Sequence, residues 1–328
     1  MSELLVLRPG PMVTLQDLGR VGLMHQGIPE SGAMDPEALM LANLLAGNDP
    51  GEACLEFAMF AGVFRFTAAA RLAVAGGTFR ASCNGVPFPV GRSIDVPEGA
   101  EVEIGPADDA TWGYLAISAG FAVEPVLGSR STHVRFALGP IPRVLTAGDR
   151  LPLRLGTLQE GPRRRATQGR QPPQARAIRV VLGPQDDRFT DEAISTFLAG
   201  TYWLTAKFDR MACRLDGPRL AHRDGADIVS DGIAYGSIQV PGDGLPLVLL
   251  ADRQTTGGYP KIATIIGADL YRLVQRRPGA PIRFVAITTE EAEAAWRRHV
   301  AARNTRLAAV RDLAPPSPAS AAGMMIGP

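Results

Sequence analysis

Two stretches of this chain set polar side chains between glycines at a density that core packing alone does not require. Residues 230–261 (SDGIAYGSIQVPGDGLPLVLLADRQTTGGYPK) carry Gln239, Gln254, Thr255, Thr256 and Lys261. Glycine lets a backbone approach a ligand closely, and neutral amides and hydroxyls can hold a developing oxyanion. Side-chain amides also match a ureido or lactam group through paired donors and acceptors. Lys261 follows the turn Gly257-Gly258-Tyr259-Pro260. A cation there can neutralise a carboxylate or phosphoryl oxygen. The expected catalytic set is therefore Gln254, Thr255, Thr256 and Lys261, with Gln239 binding substrate.

The second stretch, residues 14–56, opens with Asp17 and Arg20 in a glycine-bounded turn. An ion pair that holds the loop and a direct substrate contact are both open for them. Ser31 and Asn48 add neutral polar groups, and Asp35 stands before Pro36 as a helix N-cap whose helix end would also favour an anion. Glu56 follows an apolar run, where it is a base or the partner of an arginine. The short loop 128–132 (GSRST) offers Arg130 for a bidentate grip on a carboxylate. All seven count as candidate substrate-binding residues.

Other chemistries lack their residues. His25, His133, His222 and His299 are scattered, and none has a Cys or carboxylate at metal-ligand spacing, so no metal is expected. Of the four, His25 falls inside the stretch 14–56. No Gly-x-Ser-x-Gly elbow supports acyl-serine chemistry. Of 34 basic residues, Lys207 and Lys261 alone are lysines. Neither forms a P-loop Gly-Lys-Ser/Thr step, and neither stands between methionines as in a biotin carrier.

The elements that must position these residues are mostly strands. Apolar runs such as residues 63–66, 72–75, 102–104, 115–118 and 247–251 are separated by Gly, Pro, Asp and Asn. Residues 241–244 (PGDG) between two such runs predict a hairpin. Three helices stand out: Pro36–Ala46 with Leu41, Leu44 and Leu45 on one stripe, one capped by Thr190, and a long one over 289–311. Residues 159–176 are rich in Arg, Pro, Gln and Gly and read as an exposed, mobile connector. The division is thus 1–157, a linker at 158–176, a second module at 177–311, and a disordered tail at 312–328. Both modules open on a strand that runs into a Gly-Pro turn, which hints at duplication.

The bulk numbers agree. The net charge of +1 carries no footprint for nucleic acid or an anionic membrane. No signal peptide is expected, and no apolar run reaches the roughly 18 residues of a membrane span. Cys54, Cys83 and Cys213 read as reduced thiols, pointing to the cytoplasm.

Residues 14–22 (TLQDLGRVG), 31–35 (SGAMD), Ala42-Asn43, Gly47-Asn48 and Leu55-Glu56 form an ordered set. With residues 128–132 (GSRST), 230–232 (SDG), 236–241 (GSIQVP) and 252–260 (DRQTTGGYP), the set resembles the allophanate-hydrolase-subunit-2-like family over about residues 5–288. That family includes the C-type component of 5-oxoprolinase, the carboxyltransferase domain of urea carboxylase, and the antagonist of a sporulation-kinase inhibitor. Ala212 in 210–215 (RMACRL) and Gly139-Pro140 depart from the usual glycines. The resemblance implies two cyclophilin-like β-barrel modules and a partner related to allophanate hydrolase subunit 1, that is, the B-type component of a 5-oxoprolinase. It implies a third lactam-acting protein and ATP use by the complex, with no covalently bound cofactor. Two alternatives remain: carboxyl transfer to urea or a related amide, with carboxybiotin supplied by a separate carrier, and a non-catalytic protein that binds a kinase inhibitor. Apolar surface meant for a partner could also make the isolated chain a homodimer.

Overall fold

The computed structural model describes residues 2–154, 161–168 and 176–313. In the first module a six-stranded sheet faces a five-stranded one, and both are antiparallel. Leu4, Val6, Phe57, Phe64, Phe66, Leu72, Val74 and Leu115 fill the space between them. Strands Ala70–Ala75 and Trp112–Ile117 are buried at every position. The reason is α1 (Pro36–Ala46), which covers the outer face of the same sheet, so both faces are out of water. Its buried stripe is Leu39, Ala42, Leu45 and Ala46, and not the expected set: Leu41 and Leu44 lie only half-buried. Small residues let the helix sit close over Ala73, Ala75 and Ala116.

The second module is an eight-stranded sheet. Its edge strands, Pro281–Ile282 and Phe284–Ala286, have only Arg283 between them. Consecutive residues thus close both edges, and the sheet curls into a nearly complete barrel, as the resemblance implied. The predicted hairpin is present, pairing Ile238 with Val248 across residues 241–244. α2 (Asp191–Ala199) is capped by Thr190 as expected, and a short α3 (Leu270–Val274) precedes the two edge strands. The protein is mostly β.

The two modules share a core. Met34, Ala58 and Trp112 of the first pack into the apolar cluster of the second, beside Phe197, Tyr202 and Leu250. α4 (Thr289–Ala308) ends three residues early, because Val310–Asp312 turns into a strand. That strand pairs with Arg164–Ala166, inside the stretch read as a connector. The connector is therefore structured over residues 161–168: Arg71 donates to Gly161 O (3.0 Å) and Pro162 O (3.1 Å), and Ala166 N to Gly91 O (2.9 Å). A boundary at 311/312 would cut through the ribbon. The rest of the connector and the tail beyond Leu313 lie outside the described residues. Among the described residues no helix is long and apolar enough to cross a membrane.

Candidate functional site

The motif at residues 14–22 folds around its own acid. After the strand Thr14–Gln16, the Asp17 carboxylate accepts from Ser129 Oγ (2.6 Å), Ser131 Oγ (2.5 Å), Arg130 N (2.6 Å) and Gly19 N (2.8 Å). Arg20 grips the same loop, donating from Nε to Val126 O (3.2 Å) and from Nη2 to Ser131 O (2.5 Å). Asp17 and Arg20 thus hold the 126–131 loop rather than bonding to one another. Gly32, at φ 85°, lets the returning chain cross this turn: a Cβ there would meet Leu18 C at 2.9 Å. Ser31 beside it is also left-handed, at φ 56°.

Across the seam between modules lies a buried charge cluster. Arg210, 3% exposed, is bidentate to Asp252 (3.0 and 2.8 Å), donates to Gly32 O (2.7 Å) and pairs with Glu56. The other Glu56 oxygen accepts from Met34 N (2.8 Å) and the Tyr114 hydroxyl (2.7 Å). Burial pushes the Glu56 carboxyl above its ordinary range, against the opposing pull of Arg210. Burial works to lower the Arg210 guanidinium, but Asp252 and Glu56 together raise it. Next along the chain, Arg253 reaches Glu30 (2.8 Å) and Ile233 O (3.0 Å).

The loop then enters a second cluster. Lys261, 2% exposed, donates to Asp231 (2.9 Å) and Gly232 O (3.2 Å), and Gln185 donates to the same Asp231 oxygen (3.1 Å). The Lys261 ammonium holds the Asp231 carboxyl below its ordinary range, helped by Gly232 N–H and Gln185. Gln239 and Gln254 converge on Gly257, where an added Cβ would meet their Nε2 atoms at 2.9 and 3.3 Å. Gln239 Nε2 donates to Tyr259 O (3.2 Å). The side-chain oxygens of both glutamines are buried and have no partner in the protein. Thr255 O accepts from Ile233 N (3.1 Å), and the exposed Thr256 lies in the two-residue strand Thr256–Gly257 against Asp231–Gly232.

The fold therefore gathers Gln239, Gln254, Thr256 and Lys261 at one place, and Asp17, Arg20, Ser31 and Glu56 along the seam. Others stand apart. Asn48 ties the end of α1 to Ile117 O (2.8 Å) and Ala119 N (2.9 Å). Arg130 turns to Val123 O (2.8 Å) and Glu52 (3.5 Å). Asp35 caps α1 through Ala38 N (3.3 Å) and accepts from Gln275 (2.9 Å). His25 is exposed. Arg210, Asp252, Gln185 and Asp231 are site residues beyond the expected set. Arg210, Asp231 and Asp252 stand inside the motifs quoted above, which was their only signal. Among the described residues no group of three His, Cys, Asp or Glu could hold a metal ion.

Comparison with known proteins agrees with this architecture. The family described as "Carboxyltransferase domain, subdomain A and B" matches residues 26–286. The C-type component of the 5-oxoprolinase of Escherichia coli (strain K12) is 34% identical over 311 residues, covering 90% of this chain and 98% of that protein. Urea amidolyase of Lachancea kluyveri is 31% identical over 88% of this chain, which spans 17% of that much longer protein. The crystal structure of Kluyveromyces lactis urea carboxylase superposes with a TM-score of 0.82 at 26% identity, over 95% of this chain and 30% of that one. On the family match and on its relatives, the chain belongs to the family of the carboxyltransferase domain, subdomains A and B.

Proposed function

We propose that this protein is the C-type component of an ATP-dependent 5-oxoprolinase, working with a B-type partner and a third lactam-acting protein to open a small lactam. The observation that carries the reading is the pair of unpartnered oxygens, Gln239 Oε1 and Gln254 Oε1, beside the buried Lys261. A buried acceptor without a donor costs about 1–3 kcal/mol, so such a pair favours a ligand that brings N–H groups. A lactam nitrogen supplies one. Two of the Lys261 protons are engaged, and the third is available to an oxygen that gains charge as the ring opens or is phosphorylated. ATP is used by the assembled complex, and this chain binds no cofactor covalently. Near-complete coverage of the C-type component of a 5-oxoprolinase supports the same reading.

The test is ATP-dependent conversion of 5-oxoproline to glutamate by the three co-expressed proteins, with this chain present or omitted. Gln254→Ala and Lys261→Ala are expected to assemble normally and to lower kcat/KM by roughly tenfold to a hundredfold. Full turnover without this chain would refute the reading. The likeness to urea carboxylase supports a second one, carboxyl transfer from carboxybiotin on a separate carrier to urea or a related amide. Avidin would abolish that activity and leave lactam opening untouched.

A further inference from the structure

On the flank of the second module, three elements bring basic side chains around one cavity. Arg179 comes from the strand Ile178–Leu182, Tyr271 and Arg272 from α3, and Arg298 and His299 from α4. With two alanines they line a cavity of about 210 Å³ that opens to solvent, and among the described residues no carboxylate lines it. α4 reaches this place because Ala295 packs with Ala268 and Ile266 in a small apolar cluster. The basic groups are held in position from behind. Asp269, fully buried, accepts from Arg179 Nε (2.9 Å), Arg179 Nη2 (2.7 Å) and Arg179 N (3.0 Å). The same carboxylate stands 3.5 Å from Arg272 Nε, a buried nitrogen that makes no hydrogen bond. Arg272 also lies over the Tyr271 ring, 5.8 Å from its centre. His299 stacks with Tyr271 (6.1 Å) and with Trp296 (5.4 Å).

The charges define what would fit. Burial alone would raise the Asp269 carboxyl, but the Arg179 bonds and the charges of Arg272 and Arg179 hold it below its ordinary range, so it is ionised. This one carboxylate serves two guanidiniums, and Arg298 forms no ion pair among the described residues. Three guanidiniums against one carboxylate leave an excess of two positive charges at the cavity. The surplus is felt behind it: burial lowers the Arg276 guanidinium, and the like charge of Arg272 lowers it further. An apolar or cationic ligand would leave this excess without a counter-charge, and a single carboxylate would balance only half of it. A tetrahedral dianion balances all of it, and its oxygens match the forked donors of arginine. We propose that this cavity is a binding site for a phosphate group, carried as inorganic phosphate or as a phosphate monoester. It shares no lining residue with the glutamine cluster, so it stands independently of the lactam reading.

The experiment is an NMR titration of the full-length ¹⁵N-labelled chain at constant ionic strength, with inorganic phosphate, methyl phosphate and, as the monoanionic control, acetate. The reporters are the Arg272 Nε–H and the backbone amides of residues 268–272 and 296–299. Saturable shifts with at least one phosphate probe, and none with acetate, are expected. A response to inorganic phosphate alone supports the free ion as the ligand, and tighter binding of methyl phosphate supports a monoester. Arg298→Ala should weaken binding on the order of tenfold. Arg298→Lys should fall between that variant and the parent, because an ammonium keeps the charge and loses the fork. Arg297→Ala removes the same charge one residue along α4, from a side chain that pairs with Glu293 (3.4 Å) and does not line the cavity. It should bind within about threefold of the parent. Both arginines are exposed, so neither variant threatens the fold. No saturable shift with either phosphate probe, an equal response to acetate, unchanged affinity in Arg298→Ala, or equal weakening by Arg297→Ala would overturn the proposal.

Discussion

One guanidinium holds the buried charge at the seam between the two modules. Arg210 satisfies two buried carboxylates, Glu56 from one side of the seam and Asp252 from the other. Removing it leaves both acids buried with no counter-charge, a far larger penalty than the net value of the intact cluster. Arg210→Met should therefore destabilise the protein by about 3–5 kcal/mol in urea denaturation, with Arg210→Lys recovering part of the loss. A change below about 1 kcal/mol would mean that water reaches the seam. This residue also marks how far the sequence could be read. The glycine-spaced polar motifs pointed to Gln239, Gln254 and Lys261, because that pattern is local. Arg210 and Glu56 are 154 positions apart, and nothing periodic connects them.

Among the elements, α4 depends most on its own ends. It is largely exposed, with Ala295 its one buried residue, so little tertiary packing supports it. The Thr288–Glu291 capping box closes its first turn through bonds of 3.2 and 2.9 Å. Thr288→Ala is expected to cost about 1 kcal/mol and to speed amide exchange in the first turn of α4 while leaving the barrel strands protected. Equal exchange in mutant and parent would show that the docking of α4, through Arg306 on Glu37 (2.6 Å), sets its stability instead. Caps, hairpin and strand runs were legible because each is encoded within a few residues. The buried stripe of α1 departs from the leucine pattern because the sheet beneath it admits a closely packed small-residue face. The ribbon of Arg164–Ala166 with Val310–Asp312 was invisible, since an Arg-rich strand has no alternating pattern and its partner lies far along the chain.

For the molecule as a whole, the shared apolar cluster argues against independent halves. Met34, Ala58 and Trp112 would be stranded on the surface of an isolated first module. Urea unfolding of the chain should give one transition, coincident by Trp fluorescence and far-UV circular dichroism. Two separated transitions would show that the seam is only a docking contact. The burial of Lys261 has a practical corollary at this scale. The chain has two lysines, and the other, Lys207, is exposed. Brief acylation followed by mass spectrometry should mark Lys207 and spare Lys261; equal labelling of both would contradict the burial. The slow appearance of label at Lys261 then becomes a clock for how often the mouth of the glutamine cluster breathes open, and a partner that seals that mouth should slow the clock without touching the reaction at Lys207.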